Sequence, residues 1–302
     1  MFNKLYREEG GQSLVLVALA LLAMLALVAL VLDGGNAYAQ RRRVQNAADA
    51  GAVAGARELA LGGTDGQIYA EIDEYTRIRN GATSFEAVYI PGGELVGGGA
   101  VPSDASGVRV EAVITFPTFF AGVIGLTELT VQAQATSQYG PAQAVGALLP
   151  MAINWRDDFK IGEEYKLIAD WLGPGGFGWL DWTNDLYADI CHPENSGIRR
   201  VGDWVNSYPG WSIGQAKQAL EDCWMWKPEG ERHVTVIVYD DWQGSGSNLK
   251  YHVAGFAEFL ITGYRFTGED KWVKGKFVEL VEAGAVNLGG PDYGVYGVGL
   301  TE

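Results

Sequence analysis

The chain has 302 residues, 48% of them hydrophobic, and a formal net charge of −15 at pH 7. Phosphate backbones repel an acidic chain, which argues against nucleic acid as a partner. CxxC and HxxxH zinc spacings and a phosphate-loop motif are also missing from the sequence, so we predict no catalytic residue, no metal and no cofactor.

The first predicted element is an unbroken run of Ala, Val, Leu and Met from Leu14 to Leu32. Nineteen helical residues span about 28 Å, close to the hydrocarbon thickness of a bilayer. We therefore predict a cytoplasmic segment at 1–12 and a retained transmembrane helix at 13–33, with membrane lipid as a partner. The alternative is a cleaved signal peptide. Its apolar core would be shorter, and Asp33-Gly34-Gly35 is a poor match to its cleavage site.

The residues from Asn36 to Leu61 are rich in Ala and Arg and contain no Pro, which predicts that the helix continues out of the membrane. Gly62-Gly63 is the expected stop. Small residues follow the arginines, and two interpretations stay open for them: close approach of a partner helix, or packing on the chain's own sheet. The candidate helix-contact residues are Ala47, Ala48, Gly51 and Gly55.

The segment from Gly10 to Ala56 resembles the amino-terminal part of the TadE/TadG-like proteins of tight-adherence (Flp) pilus assembly. It shares a Gly-Gln-Ser start, an apolar helix, an Asp-x-Gly-x-x-Tyr exit and an Arg-rich stretch that leads into Gln45–Ala50. Weaker similarities to the longer TadG-type members lie at Thr115–Gly140, Gly176–Trp182 and Tyr251–Tyr264. The resemblance implies a structural or assembly component that works with other pilus assembly subunits and is not an enzyme.

One departure from the pilin pattern concerns processing. Pilin-like members cut by prepilin peptidase carry a Glu five residues into the mature chain, whereas a cut after Gly11 or Gly10 would place Leu16 or Val15 there. The missing Glu argues against a polymerising major pilin, so we expect an uncut anchor.

Two charge signals disagree about topology. Arg41–Arg43 follow the apolar run and favour a cytoplasmic location for that side, while Lys4 and Arg7 precede it. The positive-inside rule is weak before a long domain, and residues 61–302 carry sixteen Lys or Arg against thirty-two Asp or Glu. We expect a cytoplasmic amino terminus and an extracytoplasmic carboxy-terminal domain.

Residues 34–141 read as a pilin-like unit, in which the exposed half of the long helix lies on a small antiparallel sheet. Ile68–Arg79 has the periodicity of an amphipathic helix, and Val108–Phe116 and Leu129–Ala135 alternate like strands. Glycine clusters mark the turns between them. We expect the unit to close near Pro141.

Residues 142–302 read as a Trp-rich, mainly β domain, since all ten tryptophans lie between Trp155 and Trp272. The predicted strands are Val234–Tyr239, Tyr251–Ile261 and Trp272–Val281, and one helix is expected at Ser212–Trp224. The complete chain is therefore predicted to be α+β.

Cys191 and Cys223 are the only cysteines, and in an oxidising compartment we expect them to form a disulfide. Zinc bound by Cys191 and His192 is the alternative. Acidic pairs at Asp157-Asp158, Glu163-Glu164 and Asp240-Asp241 suit solvated loops, with calcium binding or general acid/base catalysis as rivals.

Trp179 and Trp182 lie in a Gly-rich stretch with two interpretations. They could fill the core of the β domain, because Trp is usually largely buried. They could instead form a platform for sugar rings, which would make the chain a membrane-anchored surface protein that binds a cell-surface glycan or another ligand.

Overall fold

The long helix predicted from the sequence is present as one element, α1 (Gln12–Ala60), 49 residues long. The computed structural model describes residues 12–169, 175–208, 213–268 and 271–301. Lys4, Arg7, the Gly10–Gly11 pair and Ser212 lie outside them. Helix α1 ends as predicted, because Gly62 adopts a left-handed φ of 73° and the Gly63 N–H donates to the Glu58 carbonyl at 3.0 Å.

Three shorter helices follow α1 in the described part of the chain. They are α2 (Asp65–Asp73), α3 (Leu186–Cys191) and α4 (Ile213–Leu220). Helix α2 begins three residues earlier than predicted, because Thr64 and Gln67 form a capping box that satisfies the first free N–H groups. Both α2 and α4 run on into a π-helical turn, at Glu74–Ile78 and Glu221–Met225.

The strands are β1 (Ser84–Ile90), β2 (Gly107–Pro117), β3 (Glu128–Pro141), β4 (Ala144–Val145), β5 (Leu148–Asn154), β6 (Glu164–Ala169), β7 (Gly176–Trp179), β8 (Arg199–Arg200), β9 (Trp204–Asn206), β10 (His233–Gln243), β11 (Lys250–Arg265), β12 (Trp272–Val278), β13 (Leu280–Ala283) and β14 (Val295–Thr301). The predicted strands at Val108–Phe116, Leu129–Ala135, Val234–Tyr239 and Tyr251–Ile261 lie inside β2, β3, β10 and β11. The predicted strand at Trp272–Val281 is divided between β12 and the start of β13.

The first sheet has the order β1-β2-β3-β14-β13, and α1 and α2 cover one of its faces. Its pairs are antiparallel apart from β13 with β14. Two of its strands come from the far end of the chain: Tyr296 of β14 pairs with Pro141, and Thr301 with Thr136. The sheet expected within residues 34–141 therefore also uses residues 280–301. A division into domains at 34–141 and 142–302 stays a prediction.

The second sheet has the order β10-β5-β7-β6-β12-β11-β9, and a further pairing of β10 with β11 joins its ends. Six strands thus form a closed ring, with β9 added outside on β11. Closure removes unpaired edges, which explains how strands as short as β7 are held. The core of this barrel is aromatic and aliphatic, and α3 and α4 pack against it.

A third apolar cluster lies where the barrel meets the first sheet. It includes Tyr239 and Tyr251 of the barrel together with Val295 of β14. The Gln143 N–H also donates to the Ala285 carbonyl at 2.9 Å, which joins the segment after β3 to the segment after β13. The two sheets are therefore in contact through a packed apolar junction.

Candidate functional site

The apolar half of α1, Leu14–Leu32, has an exposed surface. Every Leu, Val and Met side chain from Leu14 to Leu32 is between 47% and 74% exposed. Such a surface is unfavourable in water and favourable in hydrocarbon. Among the described residues, α1 is the one helix whose length and composition suffice to cross a membrane.

Asp33 follows this apolar run directly and is only 8% exposed. Its carboxylate accepts three backbone N–H groups, from Phe119 at 2.7 Å, Phe120 at 3.1 Å and Ala121 at 2.7 Å. These donors are the free N–H groups at the start of a 3-10 turn, Ala121–Ile124, in the connection between β2 and β3. Asp33 thus attaches this connection to α1 at the end of the apolar run.

The second half of α1 is packed on the chain's own sheet. Ala47 and Ala48 are fully buried, and Gly51 and Gly55 are buried too. A Cβ on Gly55 would lie 2.7 Å from Ile72 Cγ1 and 2.9 Å from Val108 Cγ2, and a Cβ on Gly51 would collide with the Thr76 hydroxyl.

The packing favours the intramolecular one of the two interpretations that the sequence leaves open, and a partner-helix contact through these residues stays a prediction. Ala47, Ala48, Gly51 and Gly55 permit close approach, but the elements that approach are α2, the turn after it and β2. The small-residue pattern is the same for an intramolecular and an intermolecular contact, so the sequence could not distinguish them.

A shallow groove runs along the other side of this half of α1, bounded by the turn after α2 and by β14. Its volume is about 570 Å³. Its lining includes Asp49, Val53, Ala54, Arg57, Tyr75 and Leu300. Groove residues on α1 are therefore still accessible to a partner.

The arginines after the apolar run have unequal surroundings. Arg43 Nε donates to the Asn80 carbonyl at 2.8 Å, which ties α1 to the end of the π-helical turn. Arg41 and Arg42 are exposed. All three arginines are therefore on the surface, and Arg43 is the one bonded to another element of the fold.

Cys191 and Cys223 form a disulfide that links the end of α3 to the turn after α4. Trp224 Nε1 donates to the Ile190 carbonyl at 2.9 Å beside it. Both sulfur atoms are used in this bond, so the zinc alternative is wrong. His192 instead lies 3.2 Å from a Glu194 carboxylate oxygen.

The two tryptophans proposed as a ligand platform lie in different surroundings. Trp179 is 6% exposed and packs edge-on against Phe177 in the barrel core, so it has no free ring face. Trp182 packs against the third apolar cluster, where the barrel meets the first sheet, and the Arg199 guanidinium lies 4.7 Å from its ring centre. Among the tryptophans that the structure describes, the exposed indoles are those of Trp204, Trp226 and Trp242.

One carboxylate of each predicted acidic pair forms an ion pair with a basic side chain. Asp158 accepts two hydrogen bonds from Arg156, at 2.8 and 2.6 Å, and this guanidinium lowers the pKa of the carboxyl. Lys274 lies 2.5 Å from Glu164 and lowers its pKa. Asp240 lies 2.6 Å from His252 Nδ1. Within the described residues no three His, Cys, Asp or Glu side chains converge as a metal site.

Two further buried carboxylates hold loops, and the sequence analysis did not predict them. Asp65 accepts the Tyr89 hydroxyl at 2.7 Å and the N–H groups of Gly97 and Gly99 at 2.8 and 2.6 Å. Asp189 accepts the backbone N–H groups of Trp182 and Thr183 and the Thr183 hydroxyl. Like Asp33, each holds a loop by its backbone, and no local sequence pattern announces such a bond.

A further string was missed at the sequence level. Residues 210–214 read GWSIG and so have the Gly-x-Ser-x-Gly spacing of hydrolase nucleophile motifs. Ser212 lies outside the described residues. The spacing alone assigns no role, because a nucleophile is recognised by its contacts with a base and an oxyanion site.

Comparison with known families adds one match. Residues 11–58 match a family model described as "Putative Flp pilus-assembly TadE/G-like". No curated protein and no solved structure shows significant similarity to the chain. The matched residues coincide with almost the whole of α1, including the exposed apolar half, Asp33 and the packed small residues. The amino-terminal helix of the chain is therefore similar to the TadE/G-like family of Flp pilus assembly.

Proposed function

We propose that the protein is a single-pass membrane component of a tight-adherence (Flp) type pilus or secretion apparatus, with a structural or assembly role like that of a minor pilin-like subunit. The observation that carries the proposal is α1 itself. One continuous helix combines an exposed apolar half with a half packed on a sheet, and it coincides with the TadE/G-like match. No reaction is part of the proposal.

In this proposal the amino terminus is cytoplasmic, and both sheets are extracytoplasmic. The disulfide supports this side, since such bonds persist in oxidising compartments. The acidic charge of residues 61–302 supports it as well. Protease added to spheroplasts should remove the region after residue 61. Complete protection until the membrane is lysed would overturn the proposed topology.

Contact with other subunits is proposed for the groove along α1. The groove is favoured over the buried glycines because those glycines pack within the chain, whereas Ala54 and Val53 line an open surface. The substitution Ala54→Arg would place a long cationic side chain in the groove.

Co-purification of partner subunits from detergent extracts tests this contact. Ala54→Arg should reduce partner recovery several-fold. Ala70→Arg is the matched control, because Ala70 is an exposed helical alanine of α2 outside the groove. Equal recovery with both variants would show that the groove is not the subunit contact, while the membrane assignment would stand.

A further inference from the structure

The connection between β2 and β3, called here the β2–β3 loop (Thr118–Thr127), has an apolar surface. Five large side chains in its ten residues are between 43% and 90% exposed. They are Phe119, Phe120, Val123, Ile124 and Leu126. No ionisable residue occurs from Thr115 to Thr127. Contiguous exposed apolar surface of this kind marks an interaction site.

The loop is held in a defined shape. The Thr118 hydroxyl donates to the Leu126 carbonyl at 2.6 Å, and the Thr118 N–H donates to the Thr127 carbonyl at 3.0 Å. Gly125 supplies the left-handed residue, with a φ of 91°, that ends the 3-10 turn. Three more N–H groups bind Asp33. Most N–H groups of the loop backbone are thus bonded internally, while its large apolar side chains are exposed.

Contacts with α1 place the loop along the helix. Gly55 faces Val108 at the start of β2, and Asp33 faces Phe119 just after its end. The 22 helical residues between Gly55 and Asp33 span about 33 Å. The 11 residues from Val108 to Phe119 span about 36 Å as a strand. Strand β2 therefore runs antiparallel to α1 and delivers the loop to the end of the apolar run.

We propose that the β2–β3 loop inserts its apolar side chains into the same membrane that α1 spans, as a second lipid contact. Its surface is continuous with the exposed apolar half of α1 through Asp33, which directly follows Leu32. It contains no charge that lipid would exclude, and most of its backbone N–H groups are already paired. The loop has the aromatic and aliphatic residues that favour the membrane interface.

The proposal rests on the membrane location of α1 in the proposed function and not on the pilus role. A single helix can tilt and rotate in a bilayer, whereas two contacts fixed to each other by Asp33 hold the first sheet in one orientation to the membrane. The groove along α1 would then be presented at a constant height and angle.

Depth-dependent quenching tests the insertion with the complete chain in phosphatidylethanolamine–phosphatidylglycerol vesicles. Ile124→Cys carries an environment-sensitive fluorophore, and the native cysteines do not react because they form the disulfide. Leu61→Cys is the matched control. It is also an exposed apolar residue, but 28 helical residues place it about 42 Å from Asp33.

Acyl-chain-brominated lipids should quench the fluorophore at position 124 at least twofold and shift its emission to shorter wavelength, while the fluorophore at position 61 stays unchanged. Equal quenching at both positions would overturn the proposal. Vesicle flotation separates the two failures: a chain that floats without quenching at position 124 refutes the loop insertion alone, and a chain that does not float refutes the membrane anchor as well.

A photo-crosslinking residue in place of Phe119 addresses the native membrane. Adducts with lipid support insertion. Adducts with another protein, in the absence of lipid adducts, would show that the loop is a subunit contact and would overturn the proposal.

Discussion

Removal of the disulfide should destabilise the barrel by an amount that follows from the loop it closes. The sequence separation of Cys191 and Cys223 is 32, and the chain-entropy relation converts this into about 3–4 kcal/mol at 25 °C. Both side chains are only half-buried, so replacing them with Ala adds little cavity cost. The Trp224–Ile190 hydrogen bond remains available in the variant, and the effect should therefore come mainly from the unfolded state.

Urea unfolding of the complete chain in detergent micelles measures this effect, with tryptophan fluorescence as the signal. All ten tryptophans lie between Trp155 and Trp272, so the emission reports on the second sheet and its helices and not on α1. With a slope of about 2 kcal/mol/M, the Cys191→Ala/Cys223→Ala variant should unfold about 2 M earlier than the wild type.

Reductant provides the control. It should lower the wild-type midpoint to that of the double variant and leave the variant unchanged. A midpoint shift below about 0.5 M would refute the loop-entropy reasoning, because it would mean that the segment between the cysteines is already constrained when unfolded.

The other predictions concern packing and pH. In a thermal melt, Gly55→Leu should destabilise the fold by more than the usual overpacking cost of about 1–3 kcal/mol, because its side chain would separate α1 from the sheet; membrane insertion should be unchanged. The control is Gly66→Ala, whose added Cβ would meet no atom within 4 Å, and it should be neutral or stabilising in this melt. Burial raises the pKa of Asp65, but its three hydrogen bonds outweigh burial and the pKa is lowered overall. The contribution of Asp65 to folding stability is therefore complete above about pH 4 and disappears as the pH falls. Asp65→Asn should flatten this acid limb of the stability profile. Burial raises the pKa of Glu258 above its usual 4.5, so folding stability declines as the pH rises from about 4.5 toward the raised pKa. Glu258→Gln should stabilise the barrel at pH 7 by up to about 1 kcal/mol, because it keeps an acceptor for the Thr235 hydroxyl without a buried charge. A pH-independent difference between variant and wild type would contradict either carboxyl prediction.

The elements predicted correctly are those with local patterns. The apolar run, the proline-free Ala/Arg stretch and the Gly62-Gly63 stop specify α1 with no reference to the rest of the chain. Alternation likewise located β2 and β3. Fold class therefore followed from periodicity, because helix and strand periods are properties of neighbouring residues.

What could not be predicted depends on residues distant in sequence. The β10–β11 pairing that closes the barrel and the addition of β14 to β3 need the folded chain. The same is true of the candidate site. Asp33 lies in the segment that matches the TadE/G-like family model, but its contact with the β2–β3 loop spans 86 residues and appears only in three dimensions. The role of the small residues of α1 was open for the same reason.

The position of β14 has a consequence for the order in which the protein matures. The first sheet begins with β1 but obtains its fourth strand only after about 150 further residues have followed β3. During synthesis, β3 therefore has an unpaired edge until the barrel residues and β14 have been made. A ribosome stall or a proteolytic cut before Val295 would leave that edge open, and it could then pair with a strand of another molecule. Quality control of this protein should consequently act late, on chains that still lack their final strand.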